Sequence, residues 1–104
     1  MEKFYITTPI YYASGQPHIG HAFNVIFADT IARWKKSKGN EVFFSAGLDE
    51  YGSKIEEKAK KENKEPQVFV DEIAKSYLKT WEYLGIIYSD FIRTTFQKHK
   101  TGVL

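Results

Sequence analysis

Pro17-His18-Ile19-Gly20-His21-Ala22 is the stretch on which the reading of this chain turns. Before it come a β-like run, Phe4-Tyr5-Ile6-Thr7-Thr8, and a short loop rich in Tyr, Ser, Gly and Pro. After it an amphipathic segment runs to about Lys38. Strand, small-residue loop and helix start, in that order, gather unpaired backbone N–H groups and the positive end of a helix dipole at one point. Such a point accepts anions, and phosphate is the commonest biological one. His18 and His21 share one face of the first turn and add hydrogen-bond donors. Gly20 between them carries no side chain, so a flat ligand such as a nucleobase can approach the backbone. The same two histidines also fit a solvated helix start, or a partial metal site short of ligands. No G-x-x-x-x-G-K-S/T or G-x-G-x-x-G run competes as a nucleotide cradle.

Working outward, Phe4–Thr8 reads as a strand bounded by Pro9, and the segment to Pro17 as loop. From Ile19 to Lys38 the spacing of Ala22, Val25, Ile26, Ile31, Ala32 and Trp34 predicts a helix, with Asp29 and Arg33 paired on its surface and Gly39-Asn40 as its stop. Glu41–Ala46, around Val42-Phe43-Phe44, predicts a second strand buried on both faces. Strand, helix, strand with short joins is a βαβ unit, so the two strands are expected parallel. Ligands of such sheets sit beyond the carboxyl ends of the strands. Both Pro9–His21 and Gly47–Lys54 begin at those ends, which brings them together.

Ser53–Asn63 predicts a charged helix whose Glu56–Lys60 and Glu57–Lys61 spacings read as a solvated face. Pro66 opens a further helix to about Leu84, with Phe69, Ile73, Tyr77, Trp81 and Leu84 as a core stripe and Gly85 closing it. Ile86–Ile92 predicts a third strand. Thr94 and Gln97 have capping-box spacing for a last helix that has barely begun at Leu104. A chain stopping there is expected to be a piece of a longer protein.

Composition sets the outer limits. The 104 residues make one domain at most, and 42% apolar with 16% aromatic residues are ample for a folded α/β layer. A net charge of +2 is too small to indicate nucleic-acid binding by itself. With no cysteine, disulfides and a Cys-based zinc site are excluded within the chain. Nothing approaches a signal peptide or a membrane-spanning run, so a cytoplasmic protein is the default expectation.

The run from Phe4 to Ala22 resembles the N-terminus of a class I aminoacyl-tRNA synthetase, with His18-Ile19-Gly20-His21 as the signature of that class. The lead-in Thr7-Thr8-Pro9-Ile10-Tyr11-Tyr12 is similar to the methionyl-tRNA synthetases in particular. Downstream, Gly47-Leu48-Asp49-Glu50-Tyr51-Gly52-Ser53-Lys54-Ile55 resembles that family's Gly-Thr-Asp-Glu-His-Gly-x-Lys-Ile. The resemblance covers nearly the whole chain. It implies an α/β, parallel-sheet, Rossmann-like half-domain in β-α-β-α-α-β order, truncated, with residues 1–104 as the N-terminal portion of the catalytic domain.

The activity so implied is methionine–tRNA ligation: ATP with Mg²⁺ activates L-methionine, and the adenylate is then transferred to tRNA. His18 would face the α-phosphate and, with Gly20 and His21, line the ATP side. Asp49 would hold the substrate ammonium; Tyr12 and the Ile10 backbone would line the methionine pocket. An alternative for Asp49 is a helix cap for the segment near Ser53. Tyr51 and Leu48 depart from the family's His and Thr, so no role of that His carries over. The Lys-Met-Ser-Lys-Ser signature, the connective insertion and the anticodon-binding domain are not in these residues, so little or no activity is expected of this chain alone. Two other readings remain: another HxGH nucleotidyltransferase, or a free-standing synthetase-derived binding module.

Overall fold

The computed structural model describes all 104 residues. The elements are β1 (Lys3–Thr7), β2 (Tyr11–Tyr12), α1 (Ile19–Ser37), β3 (Glu41–Asp49), α2 (Ser53–Lys61), α3 (Pro66–Tyr83), β4 (Asp90–Arg93) and α4 (Gln97–Val103). All strand pairs are parallel, with β3 as the hub. Ser45 pairs with Thr7 and with Asp90, and Leu48 pairs with Tyr11 and with Arg93. A strand has two edges, so β1 and β2 lie end to end along one edge of β3 and β4 along the other.

The short strand β2 falls where a loop was expected. Between the Thr7–Ser45 and Tyr11–Leu48 pairs, four steps along the outer strand match three along β3. One extra residue is accommodated at Thr8-Pro9-Ile10, a bulge at which Pro9 has no N–H to offer the ladder. Thr8 N–H still reaches Ser45 O at 3.2 Å, and pairing resumes through Ala13 N–H to Asp49 O at 2.9 Å.

Two other strands differ in extent. β3 runs three residues beyond the expected Ala46, so Gly47, Leu48 and Asp49 are strand, not loop. Only its second half is buried on both faces; Phe43 is 48% exposed and stacks on Tyr5 across the open face. β4 starts at Asp90, not Ile86, because the preceding residues finish α3. Gly85, at φ 73°, gives its N–H to Glu82 O, and Ile86 gives its N–H to Trp81 O: a Schellman close.

Against the sheet α1 lays a face of small residues, Val25, Ala28 and Ala32, while Ile26 and Trp34 of the expected stripe stay exposed. Asp29 is buried rather than on the surface. Its Oδ2 accepts from Arg33 Nε at 2.7 Å and its Oδ1 from Ile87 N–H at 3.0 Å, which ties α1 to the end of α3. Of the α3 stripe, Phe69, Ile73, Tyr77 and Trp81 are buried, whereas Leu84, expected with them, is exposed at the helix end. The Thr94–Gln97 capping box does not form: Phe96 is the N-cap, and Thr94 Oγ1 accepts from Glu50 N–H at 2.8 Å instead. No helix is long and apolar enough to cross a membrane.

Candidate functional site

Past the bulge, β2 leads through Ser14-Gly15-Gln16 to the start of α1, and this path bounds an open cavity of about 400 Å³. Ile10, Tyr12, His18 and His21 line it together, along with Tyr11 and Lys58. No carboxylate lines it. Gly20 does not line it; a Cβ there would stand 3.0 Å from His18 Cε1, so this glycine makes room for the folded-back His18 ring more than for a ligand. Asp49 also lies outside the lining, one rung away as the register partner of Tyr12.

The two histidines cap their own helix. Gly20 N–H donates to His18 Nδ1 at 3.1 Å, and His18 N–H donates to His21 Nδ1 at 3.2 Å. Two backbone N–H groups expected to be free are thus occupied. A backbone N–H can only donate, so both Nδ1 atoms are acceptors and each neutral ring carries its proton on Nε2. The rings stack at 3.8 Å with 21° between their planes. Burial, and then a charge on His18 beside it, lower the His21 pKa below the usual histidine value of 6.5. The arrangement favours two neutral rings, each with one Nε2–H to donate. Both Nδ1 atoms are engaged, and no group of three metal-ligating side chains stands together.

His21 is held on three sides. The buried Tyr11 ring lies 4.7 Å from it and donates its hydroxyl hydrogen to Asn24 Oδ1. From α3 the hydroxyl of Tyr77 comes within 3.1 Å of His21 Nδ1. Tyr77 is fully buried, and that burial, with Tyr11 adding to it, pushes its pKa up to about 12.

Asp49 is half-buried, and its Oδ1 accepts from Tyr51 N–H at 3.4 Å in a local turn. It does not cap α2, whose N-cap is Gly52 at φ 140° with no side-chain bond. The neighbouring Glu50 is the centre of a buried knot. Its Oε2 accepts from Arg93 Nε at 2.7 Å, and its Oε1 from Thr95 Oγ1 at 2.6 Å and Thr95 N–H at 3.3 Å. Arg93 also reaches Asp71 Oδ1 at 2.6 Å, and this bond holds the Asp71 pKa below its ordinary value. For Arg93, burial opposes the charge and these hydrogen bonds outweigh it, so its pKa is raised.

Several of these residues carry no mark in the sequence. Lys58 sits in a charge run that reads as solvated face, yet its Nζ reaches over Gly15, 3.7 Å from where a Cβ there would lie. Glu50 and Arg93 are far apart in the chain, and only the β3–β4 register brings them together.

The family model for tRNA synthetases, class I (M), matches residues 4–103. A methionine–tRNA ligase of Mycoplasma pneumoniae is 52% identical over 103 residues, 99% of this chain and 20% of that protein. Among solved structures, Mycobacterium tuberculosis methionyl-tRNA synthetase in complex with methionyl-adenylate matches with a TM-score of 0.95 and 34% identity, over 97% of this chain and 20% of that one. The LeuRS of Agrobacterium radiobacter K84, solved with tRNA and LeuAMS, matches with a TM-score of 0.88 and 31% identity, over 94% and 13% respectively. The chain therefore spans a fifth or less of the proteins it matches.

Proposed function

The chain belongs to the class I tRNA synthetases (M), and from that premise we propose that it supplies the N-terminal part of the catalytic domain of a methionine–tRNA ligase. The reaction belongs to a chain of the length its relatives have. An oxygen of the methionine carboxylate attacks the α-phosphorus of MgATP, the bond to the β-phosphate oxygen breaks, and pyrophosphate leaves with the magnesium. A hydroxyl at the 3′ end of tRNA then attacks the acyl carbon of the adenylate, the bond to the phosphate oxygen breaks, and AMP leaves.

Phosphoryl-type transfer asks little covalent chemistry of the protein; it needs positioning and donors placed where charge develops. His18 and His21 take that role, each giving its Nε2–H to oxygens around the α-phosphate. The observation that carries this reading is the pair of occupied Nδ1 atoms, which leaves both rings as oriented neutral donors on a cavity without carboxylates. Gly20 lets the His18 ring fold back over the turn on the ATP side. On the other side Asp49, level with Tyr12, pairs with the α-ammonium of methionine in a charge-assisted contact. The exposed Tyr12 ring and the Ile10 backbone bound the methionine side chain.

Asp49→Asn in the full-length enzyme tests the assignment. Asparagine keeps the acceptor for Tyr51 N–H and removes the charge. Methionine kcat/KM is expected to fall by the equivalent of about 2–4 kcal/mol, the loss typical of truncating one partner of a shielded charge pair. ATP affinity measured without amino acid stays near wild type. Equal loss of both ligands in a folded variant would move Asp49 to the nucleotide and favour a generic nucleotidyltransferase. No change in either would leave it only its turn.

A further inference from the structure

We infer that Tyr77 is a positioning residue for His21: its hydroxyl, reaching across from α3, holds the imidazole as a fixed Nε2–H donor. The inference rests on the proposed role of His21 in adenylate formation. It concerns a residue that the sequence presents only as one of a core stripe.

Tyr77 lies fully buried, its ring 5.6 Å from Trp81 of α3 at 78° and 6.2 Å from Tyr11 of β2 at 18°. A phenol in such surroundings must find a partner for its hydroxyl or bear the cost of an unmatched polar group. Its single hydrogen bond is to His21 Nδ1, across 56 residues of sequence. The direction of that bond follows from a third group. His18 N–H already donates to the same Nδ1, and a backbone N–H cannot accept, so the atom has no proton and Tyr77 O–H must be the second donor. With a pKa of about 12 the phenol keeps its proton throughout the working range.

The two donors differ in what they can fix. His18 N–H moves with the turn that carries both histidines, and ties the ring only to its own helix end. Tyr77 belongs to α3, whose buried face Phe69, Ile73, Tyr77 and Trp81 is part of the core, so its hydroxyl refers the ring to the body of the domain. A Nδ1–H tautomer would set N–H against His18 N–H, although the Tyr77 hydroxyl could turn to accept from it. Rotation of the ring to turn its Nε2–H elsewhere would break both bonds and leave the Tyr77 hydroxyl buried and unpaired. The structure therefore holds the His21 proton on the far side of the ring from α3.

A kinetic double-mutant cycle in the full-length enzyme tests this, with Tyr77→Phe, His21→Ala and the double variant assayed by ATP–pyrophosphate exchange. Phenylalanine retains the ring and its packing on Tyr11 and Trp81, so thermal unfolding is expected to stay close to wild type. Tyr77→Phe is expected to lower kcat about fivefold, the size of one ordinary hydrogen bond, with both KM values within about twofold. On the His21→Ala background the same change is expected to have no further effect, because coupled residues do not add. Wild-type kcat in Tyr77→Phe overturns the inference and makes the hydroxyl a passenger of the core. So does a fivefold loss that recurs in full on the His21→Ala background, since Tyr77 then acts by another route. Near-normal kcat in His21→Ala alone instead overturns the underlying reading of His21, and the inference with it.

Discussion

The knot at Glu50 is buried, charged and saturated, whereas the turn at His18 and His21 is open and neutral, bonded to its own backbone and, beyond it, only to the Tyr77 hydroxyl. Glu50 has no exposed side-chain surface and Arg93 has 11%, and each meets two partners. His18 is exposed, has no ion pair, and spends its Nδ1 on the backbone two residues ahead. Both regions stand at the carboxyl side of the sheet. Charges removed from water hold only if every member is matched, which makes the knot rigid and intolerant. Neutral rings stacked on a helix start are held weakly but can present a donor without first losing an ion pair. Scaffold and proposed reacting surface are thus separated, with Asp49 the residue between them.

The sharpest way to break this contrast is to remove Glu50. Glu50→Ala leaves Arg93 buried beside a half-exposed Asp71, and unfolding of the full-length protein in denaturant should register a loss of about 3–5 kcal/mol, as for half of a buried pair. A loss below about 1 kcal/mol would mean that the knot is ordinary surface electrostatics. The reverse is expected at the turn. His18→Ala or His21→Ala should lower the adenylation rate by roughly two to three powers of ten, with kcat falling more than KM rises. Their effect on stability should stay near 1 kcal/mol, the value of a helix cap. Near-normal kcat in both would leave the turn without its catalytic role.

The smallest effect expected is the acid sensitivity of the turn. Because the His21 pKa is depressed in the folded chain, the unfolded state binds a proton more readily. Its contribution to stability is therefore complete above the ordinary value of 6.5 and declines as pH falls from 6.5 toward the folded value. Histidine NMR titration should place the His21 midpoint below 6.5. In His18→Asn, which keeps a cap for Gly20, the midpoint should rise as the neighbouring charge disappears. A midpoint at or above 6.5 in wild type would show that the ring is neither desolvated nor opposed by His18.

Periodicity made the helices legible, because their packed faces are long: Phe69, Ile73, Tyr77 and Trp81 recur over four turns and are buried as read. The parallel β1–β3 pairing followed from the short strand–helix–strand joins. The strand limits did not. Ile86 and Ile87 look like strand, but one closes a Schellman turn and the other gives its N–H to Asp29, which no local pattern announces. Ile10, Tyr12, His18 and His21 all come from the first motif, whereas Asp49 of the second stays outside the cavity they line. What escaped were contacts made by register and by helix docking: Arg93 on Glu50, Tyr77 on His21, Lys58 beside Gly15. Their side chains belong to residue types that usually have duller work, and only the folded chain shows which neighbour each meets.

The extra residue at Thr8-Pro9-Ile10 acts on the chain as a frameshift acts on a message. It delays the outer strand by one rung, so Tyr11 arrives opposite Leu48 and points inward, and Tyr12 arrives opposite Asp49 and points out. Without the delay Tyr11 would fall opposite Asp49 and Tyr12 beyond the last residue of β3. Every later side chain on that edge would exchange faces. The segment is therefore balanced in length: one residue shorter, it would reach the same pairs without a bulge, Tyr11 opposite Leu48 and Tyr12 opposite Asp49, whereas one residue longer it would need a second delay to do so.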